Sequence, residues 1–164
     1  MGEYFFNFEK LGYIKKDKPQ GCILCLIAEG SDQVENLSVW ENDHFLLTVN
    51  LYPYNPAHLL LAPRRHVVDI RELSEEEEQQ FNALQRQVLD LLDSLYSPAG
   101  YNIGYNMGRP AGASIEHLHL HIIPRYPHET GIADLIAGKR VLVEDPRTTT
   151  ERLREALRQN PFHL

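Results

Sequence analysis

The chain reads as an α+β domain, an antiparallel sheet with one long helix and a second helix near the C-terminus. Three observations predict this. Short apolar segments separated by turn residues mark strands, and a capped stretch with apolar steps of three and four marks the long helix. Strands with a long helix between them and another helix at the end then suggest an antiparallel sheet with helices packed on it.

Leu37–Trp40 and His44–Asn50 read as two strands across the turn Glu41-Asn42-Asp43. Pro53–Pro56 breaks the pattern, and His58–Ala62 resumes as an apolar strand ending at Pro63. Ser74 with Glu77 three residues on forms a capping box, and Phe81, Leu84, Val88, Leu91 and Leu95 step along one helix face. The acidic run Glu75–Glu78 suits a helix N-terminus, and Pro98-Ala99-Gly100 closes the helix. Tyr101, Ile103, Tyr105 and Met107 alternate with Asn102, Gly104 and Asn106, the pattern of a half-buried strand. A loop, Gly108–Ser114, leads to a further strand at Ile115–Ile123. Asp145-Pro146 has the form of an N-cap followed by a first-turn proline. The helix it opens carries Leu153, Ala156 and Leu157 and ends by Asn160-Pro161.

With 164 residues, 43% hydrophobic and 24% charged, the chain is the size of one globular domain spanning 1–164. Residues 1–20 read as an extended N-terminal segment, with Tyr4, Phe5, Phe6 and Phe8 available to pack on the body, and 126–164 as a C-terminal extension carrying the last helix. No apolar run approaches the roughly 20 residues a membrane helix needs. Met1–Lys18 lacks the apolar core of a secretory signal, so the expected location is cytoplasmic. A net charge of −7 argues against a nucleic-acid or anionic-membrane partner, which would need a basic footprint. A small phosphorylated ligand in a locally positive pocket stays compatible with it.

The chemistry concentrates in Glu116–Arg125, where His117, His119 and His121 alternate with Leu118, Leu120 and Ile122. On a strand the histidines share one face and the apolar residues fill the other. Three aligned imidazoles each need partners for two ring nitrogens, which disfavours a chance row. One metal held by all three is strained, because a rise of about 3.4 Å per residue sets the outer two about 13 Å apart. The chemical reading is a nucleophilic imidazole whose neighbours set its tautomer, attacking phosphorus. The preceding loop, with Gly108 and Gly112, lets backbone amides approach an anion, and Asn106, Arg109 and Ser114 add side-chain donors. Cys22-x-x-Cys25 is by spacing half of a tetrahedral zinc site, with a buried apolar pair or a redox dithiol as the other readings.

His117–Ile123 resembles the signature of the histidine-triad family, His-φ-His-φ-His-φ-φ with φ apolar, at every position. Asn50–His58 is similar to that family's Asn-x-x-Pro-x-x-Pro-Gly-His segment, with Ala57 standing at the usual glycine. The resemblance covers about Cys22 to Arg125 and implies a HIT-like fold in a two-fold dimer whose sheet continues across the interface. It implies His119 as the nucleophile that takes a nucleoside monophosphate, with His58 and His121 as its hydrogen-bonded backing. It places Asn50 at the ribose, and Asn106, Gly112, Ala113 and Ser114 around the α-phosphate. The pattern around Asn106, Ala113 and Ser114, with the long tail, looks like the diadenosine polyphosphate phosphorylase and hydrolase branches more than the phosphoramidase branch. Several bacterial members bind structural zinc through such a CxxC, a Pro-x-x-His and the first triad histidine. Cys22, Cys25, His66 and His117 match those positions, and no organic cofactor is implied. The competing reading from another class is a nucleotide-binding regulatory module with little turnover.

Overall fold

Phe45–Val49 and Leu59–Pro63 are buried at every position, which happens only when a strand is covered on both faces. In the computed structural model, which describes residues 19–127 and 144–164, those two strands are the middle of a five-stranded antiparallel sheet. The elements run α1 (Ile23–Ala28), β1 (Ser38–Glu41), β2 (Phe45–Val49), β3 (Leu59–Pro63), α2 (Glu75–Tyr96), β4 (Gly100–Tyr105), β5 (Leu120–Arg125) and α3 (Pro146–Gln159). Short 3-10 turns lie at Ile70–Glu72 and Arg109–Ala111. The strand order is β1-β2-β3-β5-β4, so β5 inserts between β3 and β4 and carries the end of the histidine row into the sheet. The α+β class with an antiparallel sheet is the one the sequence predicts. The expected N-terminal segment up to residue 18, His128 and the part of the C-terminal extension over 128–143 lie outside the described residues.

The period-two alternation divides the sheet's two faces. Phe45, Leu47, Leu59, Leu61, Leu120 and Ile122 join α2 and α3 in the main core. The residues between them turn to the other face, where Leu46 and Ala62 meet Leu24 and Ile27 of α1. Leu60, opposite His121 in register, and Thr48, opposite Leu60, share that second face. The functional side of the molecule is therefore the face away from the long helix.

Helix α2 starts where the sequence predicts: Ser74 accepts the Glu77 amide, and the Glu77 side chain returns the bond to the Ser74 amide at 2.8 Å. It ends at Ser97, in the left-handed region at φ +45°. Its buried stripe is Phe81, Leu84, Val88 and Leu92, whereas Leu91 and Leu95 lie only partly covered at the margin. The expected Leu91 position thus moves one residue on, because Leu92 continues the i+4 step from Val88 towards the sheet.

Two strand boundaries also differ. The expected Ile115–Ile123 strand is laddered only from Leu120 and runs to Arg125. Residues 115–119 keep the alternation without the ladder, anchored by the Leu118 amide on the Val67 carbonyl at 2.7 Å. The Tyr101–Met107 strand starts at Gly100 and stops at Tyr105, at the end of the sheet, where Ile103 is 40% exposed instead of half-buried. Ala57 takes φ +61° while 1% exposed, a conformation costing an L-residue roughly 1–2 kcal/mol. The turn is held there by the Asn50 amide on the His58 carbonyl at 2.9 Å and by Asn55 Nδ2 on the Pro124 carbonyl at 2.7 Å.

The helix register gives a direct check. Leu92→Ala is expected to lower unfolding free energy by about 2–5 kcal/mol, and Leu91→Ala by less than about half of that, in urea titrations followed by circular dichroism. Equal losses at both positions would contradict the packing described.

Candidate functional site

Backbone groups decide which nitrogen of each histidine carries the proton. The His119 Nδ1 lies 2.6 Å from the His117 carbonyl, which only accepts, so in the neutral ring Nδ1 holds the hydrogen and Nε2 the lone pair. The Tyr54 amide only donates and meets His58 Nδ1 at 3.1 Å, so in the neutral ring the His58 proton sits on Nε2. That Nε2 lies 2.9 Å from His121 Nδ1, which must then accept. His119 and His121 pack edge to face with ring centroids 4.8 Å apart, and His58 and His121 lie at 5.2 Å. The three expected residues, His58, His119 and His121, are thus brought together in one row with defined tautomers.

Two members of the row, His58 and His121, are held neutral. Burial, then His121 and His119 beside it, push the His58 imidazole down to about 3. Burial, then His119, pushes His121 down to about 4. An uncharged imidazole is what a nucleophile or a hydrogen-bond relay requires.

The first triad member faces elsewhere. His117 donates Nε2–H to the Pro63 carbonyl at 2.8 Å, which leaves its Nδ1 lone pair aimed at Cys22 Sγ (3.3 Å) and Cys25 Sγ (3.5 Å). His66 Nδ1 meets Cys25 Sγ at 3.4 Å, and the donor atoms of Cys22, Cys25, His66 and His117 all lie within 4.8 Å of one another. Local structure explains the convergence. Cys22 caps α1 and Cys25 follows three residues on, one turn later on the same side. His66 and His117 are brought level by the Leu118–Val67 backbone bond. A tetrahedral zinc with Zn–S of about 2.3 Å and Zn–N of about 2.0–2.1 Å sets S···N edges at roughly 3.6 Å, so the donor set fits such an ion. A redox dithiol fits poorly, because the described strands pair antiparallel and, among the described residues, no thioredoxin-like strand-helix-strand unit surrounds the pair.

Two clefts meet at the segment Ala113–His117 that leads into the row. One, of about 240 Å³, has apolar walls that include Leu24, Leu60 and Ile115, with Asn50, Ser114 and Glu35 among its polar members. The other, of about 330 Å³, is lined by Asn106, Ala113 and His117. Of the expected substrate-binding residues, Asn50 and Ser114 line the first and Asn106 and Ala113 the second, while Gly112 lines neither. Gly112 sits at φ +93°, where a side chain would be strained, beside Asn106. The amides of Ala111, Gly112 and Ala113 bond to carbonyls within their own loop, which narrows the anion-binding role expected of it to later amides and side chains. Asn50 is turned inward, its Oδ1 accepting the Tyr52 amide at 3.1 Å and its Nδ2 3.4 Å from His58 Nδ1. Arg109 pairs with Glu116 at 2.8 Å in solvent, and the exposed Arg125 bonds Asn102 Oδ1 at 2.7 Å. Sequence reasoning missed Tyr54, whose ring stacks on His58 at 5.4 Å, and Glu35; Tyr54 stands at an unspecified position of the Asn50–His58 segment, and Glu35 lies in no recognisable motif.

With this geometry in view, the comparisons agree with one another. The HIT domain family matches residues 31–128, and the chain belongs to that family. It is similar to an AP-4-A phosphorylase of Mycobacterium tuberculosis, 34% identical over 124 residues, covering 75% of this chain and 63% of that protein. The chain thus spans less than two thirds of that relative. It is also similar to a bis(5'-adenosyl)-triphosphatase of Dictyostelium discoideum, 28% identical over 114 residues, 70% of this chain and 76% of that one. Among solved structures, a zinc-bound histidine triad protein of Mycobacterium smegmatis superposes with a TM-score of 0.65 at 26% identity, covering 85% of this chain and 94% of that one. No helix among the described residues is long and apolar enough to cross a membrane.

The neutral His58 and His121 make a pH prediction. Below the ordinary value of 6.5 the unfolded chain takes up protons at His58 and His121 that the folded chain refuses until about 3 and about 4. Stability is therefore full above 6.5 and falls as pH drops through that window. The urea midpoint is expected to fall between about pH 6.5 and 4, and His58→Gln to flatten the slope by about one proton. An unchanged slope in the variant would count against the buried neutral pair.

Proposed function

We propose that this protein transfers a nucleotidyl group from a dinucleoside polyphosphate, through a covalent intermediate on His119, to inorganic phosphate or water. The observation that carries the reading is the hydrogen bond from His119 Nδ1 to the His117 carbonyl at 2.6 Å, which in the neutral ring makes Nε2 the nitrogen with the lone pair that attacks phosphorus.

The reaction follows from those tautomers. The His119 Nε2 lone pair attacks the α-phosphorus in line, forming a P–N bond as the bridging P–O bond breaks and the leaving nucleotide departs with the electron pair. His58 and His121 hold the neighbouring face in a single hydrogen-bonded arrangement. An oxygen of phosphate or water then attacks the same phosphorus from the other side, the P–N bond breaks, and its electrons return to Nε2. Two inversions give net retention. Ser114, Asn106 and Ala113 border the clefts where the α-phosphate is expected, with Gly112 beside Asn106, and preorganised donors there meet the charge that develops. The higher identity to the phosphorylase than to the triphosphatase favours phosphate as acceptor.

Cys22, Cys25, His66 and His117 would hold a structural zinc ion. Four protein ligands close its coordination sphere, so it would supply folding energy and no catalytic step. The Pro63 carbonyl bond to His117 is the outer contact that orients a metal-bound imidazole. β4 ends the sheet with Ile103 and Met107 40% and 42% exposed, which supports a homodimer joined along that edge.

Diadenosine tetraphosphate incubated with the protein and phosphate is expected to give ADP and ATP. His119→Ala is expected to lose about a thousandfold or more of the rate. AMP and ATP without phosphate would make water the acceptor, and tight binding without turnover would replace the enzyme reading by a binding module. Separately, metal analysis is expected to find about one zinc ion per chain, and both a strong chelator and His66→Ala to lower the melting temperature. Zinc added back should restore only the chelated wild type. A melting curve indifferent to chelation would remove the metal from this reading.

A further inference from the structure

The C-terminal helix lies outside the matched domain, yet it grips a residue that lines one of the two clefts. Arg147 and Arg154 of α3 are seven residues apart, two turns on one side of the helix. Both reach the segment that precedes and begins β1. The Arg147 guanidinium grips the Glu35 carboxylate with two bonds, Nε to Oε1 at 2.6 Å and Nη2 to Oε2 at 3.0 Å. Arg154 Nε donates to the Ser38 carbonyl at 2.8 Å. Glu35 is the one ionised side chain among the described residues lining the cleft that also holds Asn50 and Ser114.

We propose that Glu35, held in place by Arg147, binds the vicinal hydroxyls of the substrate's ribose and makes the site selective for ribonucleotides. The inference rests on the nucleotidyl-transfer reading. It adds a recognition residue, and a positioning residue from a helix that the sequence does not connect with the site.

Register places Glu35 beside the end of β2. The Val49 amide bonds the Leu37 carbonyl, so the chain leading into β1 runs back from Leu37 past Asn50 and Leu51 to Glu35. The apolar walls, Leu24 and Leu60, lie behind and suit a base. Between the base and the phosphates comes the sugar. The oxygen of Asn50 already accepts the Tyr52 amide, so the carboxylate is the stronger acceptor on offer for a pair of hydroxyl donors. Two carboxylate oxygens match two adjacent hydroxyls, and each retains lone-pair capacity while bonded to arginine. The bidentate grip fixes the plane of the carboxylate before substrate arrives. Side-chain exposures of 34% for Glu35 and 48% for Arg147 leave room for a ligand to reach the pair.

The test uses the full chain as wild type, Glu35→Ala, Glu35→Gln and Arg147→Met. Calorimetry measures binding of AMP, 2'-deoxy-AMP, 3'-deoxy-AMP and IMP, and kcat and KM are taken on diadenosine tetraphosphate and its bis(2'-deoxy) analogue. Glu35→Ala is expected to weaken AMP by about tenfold and to leave the deoxynucleotides within about twofold, so that the ribose preference disappears. Glu35→Gln and Arg147→Met should fall between, with the loss in KM and not in kcat. An equal loss for AMP and its deoxy forms would overturn the proposal, because a structural role does that. A change confined to the AMP to IMP ratio would overturn it too, by assigning Glu35 to the base. Absence of wild-type turnover with ribose-selective AMP binding would sink the reaction and keep Glu35's role. Absence of any AMP binding would sink both.

Discussion

His117 is the residue on which the two halves of the functional face depend. Its carbonyl fixes the tautomer of His119, its ring Nε2 is tied to the Pro63 carbonyl, and its Nδ1 points at the paired cysteines. The next amide, Leu118, anchors the same segment to Val67. A residue committed by backbone on one side and by ring on the other cannot shift without moving both the donor cluster and the histidine row. The metal-binding geometry and the nucleophile geometry are therefore one constraint, even though the proposed ion touches no reacting atom.

This explains why the row begins before its strand. A regular ladder from Ile115 would make three equivalent histidines on one face. Instead the chain enters the sheet at Leu120, and the irregular stretch before it lets the His117 ring turn towards α1 while its carbonyl stays beside His119. The alternation itself survives, since Leu118, Leu120 and Ile122 are all buried. The sequence pattern specifies which side each residue takes, and tertiary bonds decide where laddering starts.

Much of the fold was legible for that reason. Periodicity and capping chemistry are local, so α2's start at Ser74, α3's at Asp145 and the two-faced strands could be read directly. The donor set Cys22, Cys25, His66 and His117 was legible only through family resemblance, because spacing alone supplied half of it. Leu92 in place of Leu91, and the exposure of Ile103, escaped because they depend on where the sheet lies and where it ends. Glu35 escaped altogether: its partner is 112 residues away, and an isolated glutamate before a strand carries no local signature.

The neutrality of His58 and His121 bears on how a protein with a net charge of −7 would handle the proposed polyanionic substrate. Charged imidazoles would attract phosphate, but a protonated His119 has no lone pair to attack with. Packing His58, His119 and His121 within ring contact makes simultaneous protonation costly, since like charges at that range oppose one another. In the proposed reaction positive charge arises on the His119 ring only as the P–N bond forms. The His117 carbonyl is already in place for it, and a hydrogen bond from a ring that becomes cationic strengthens as it does so. That contact stabilises the intermediate more than the resting enzyme, which is the condition under which a fixed dipole accelerates a step instead of merely tightening binding.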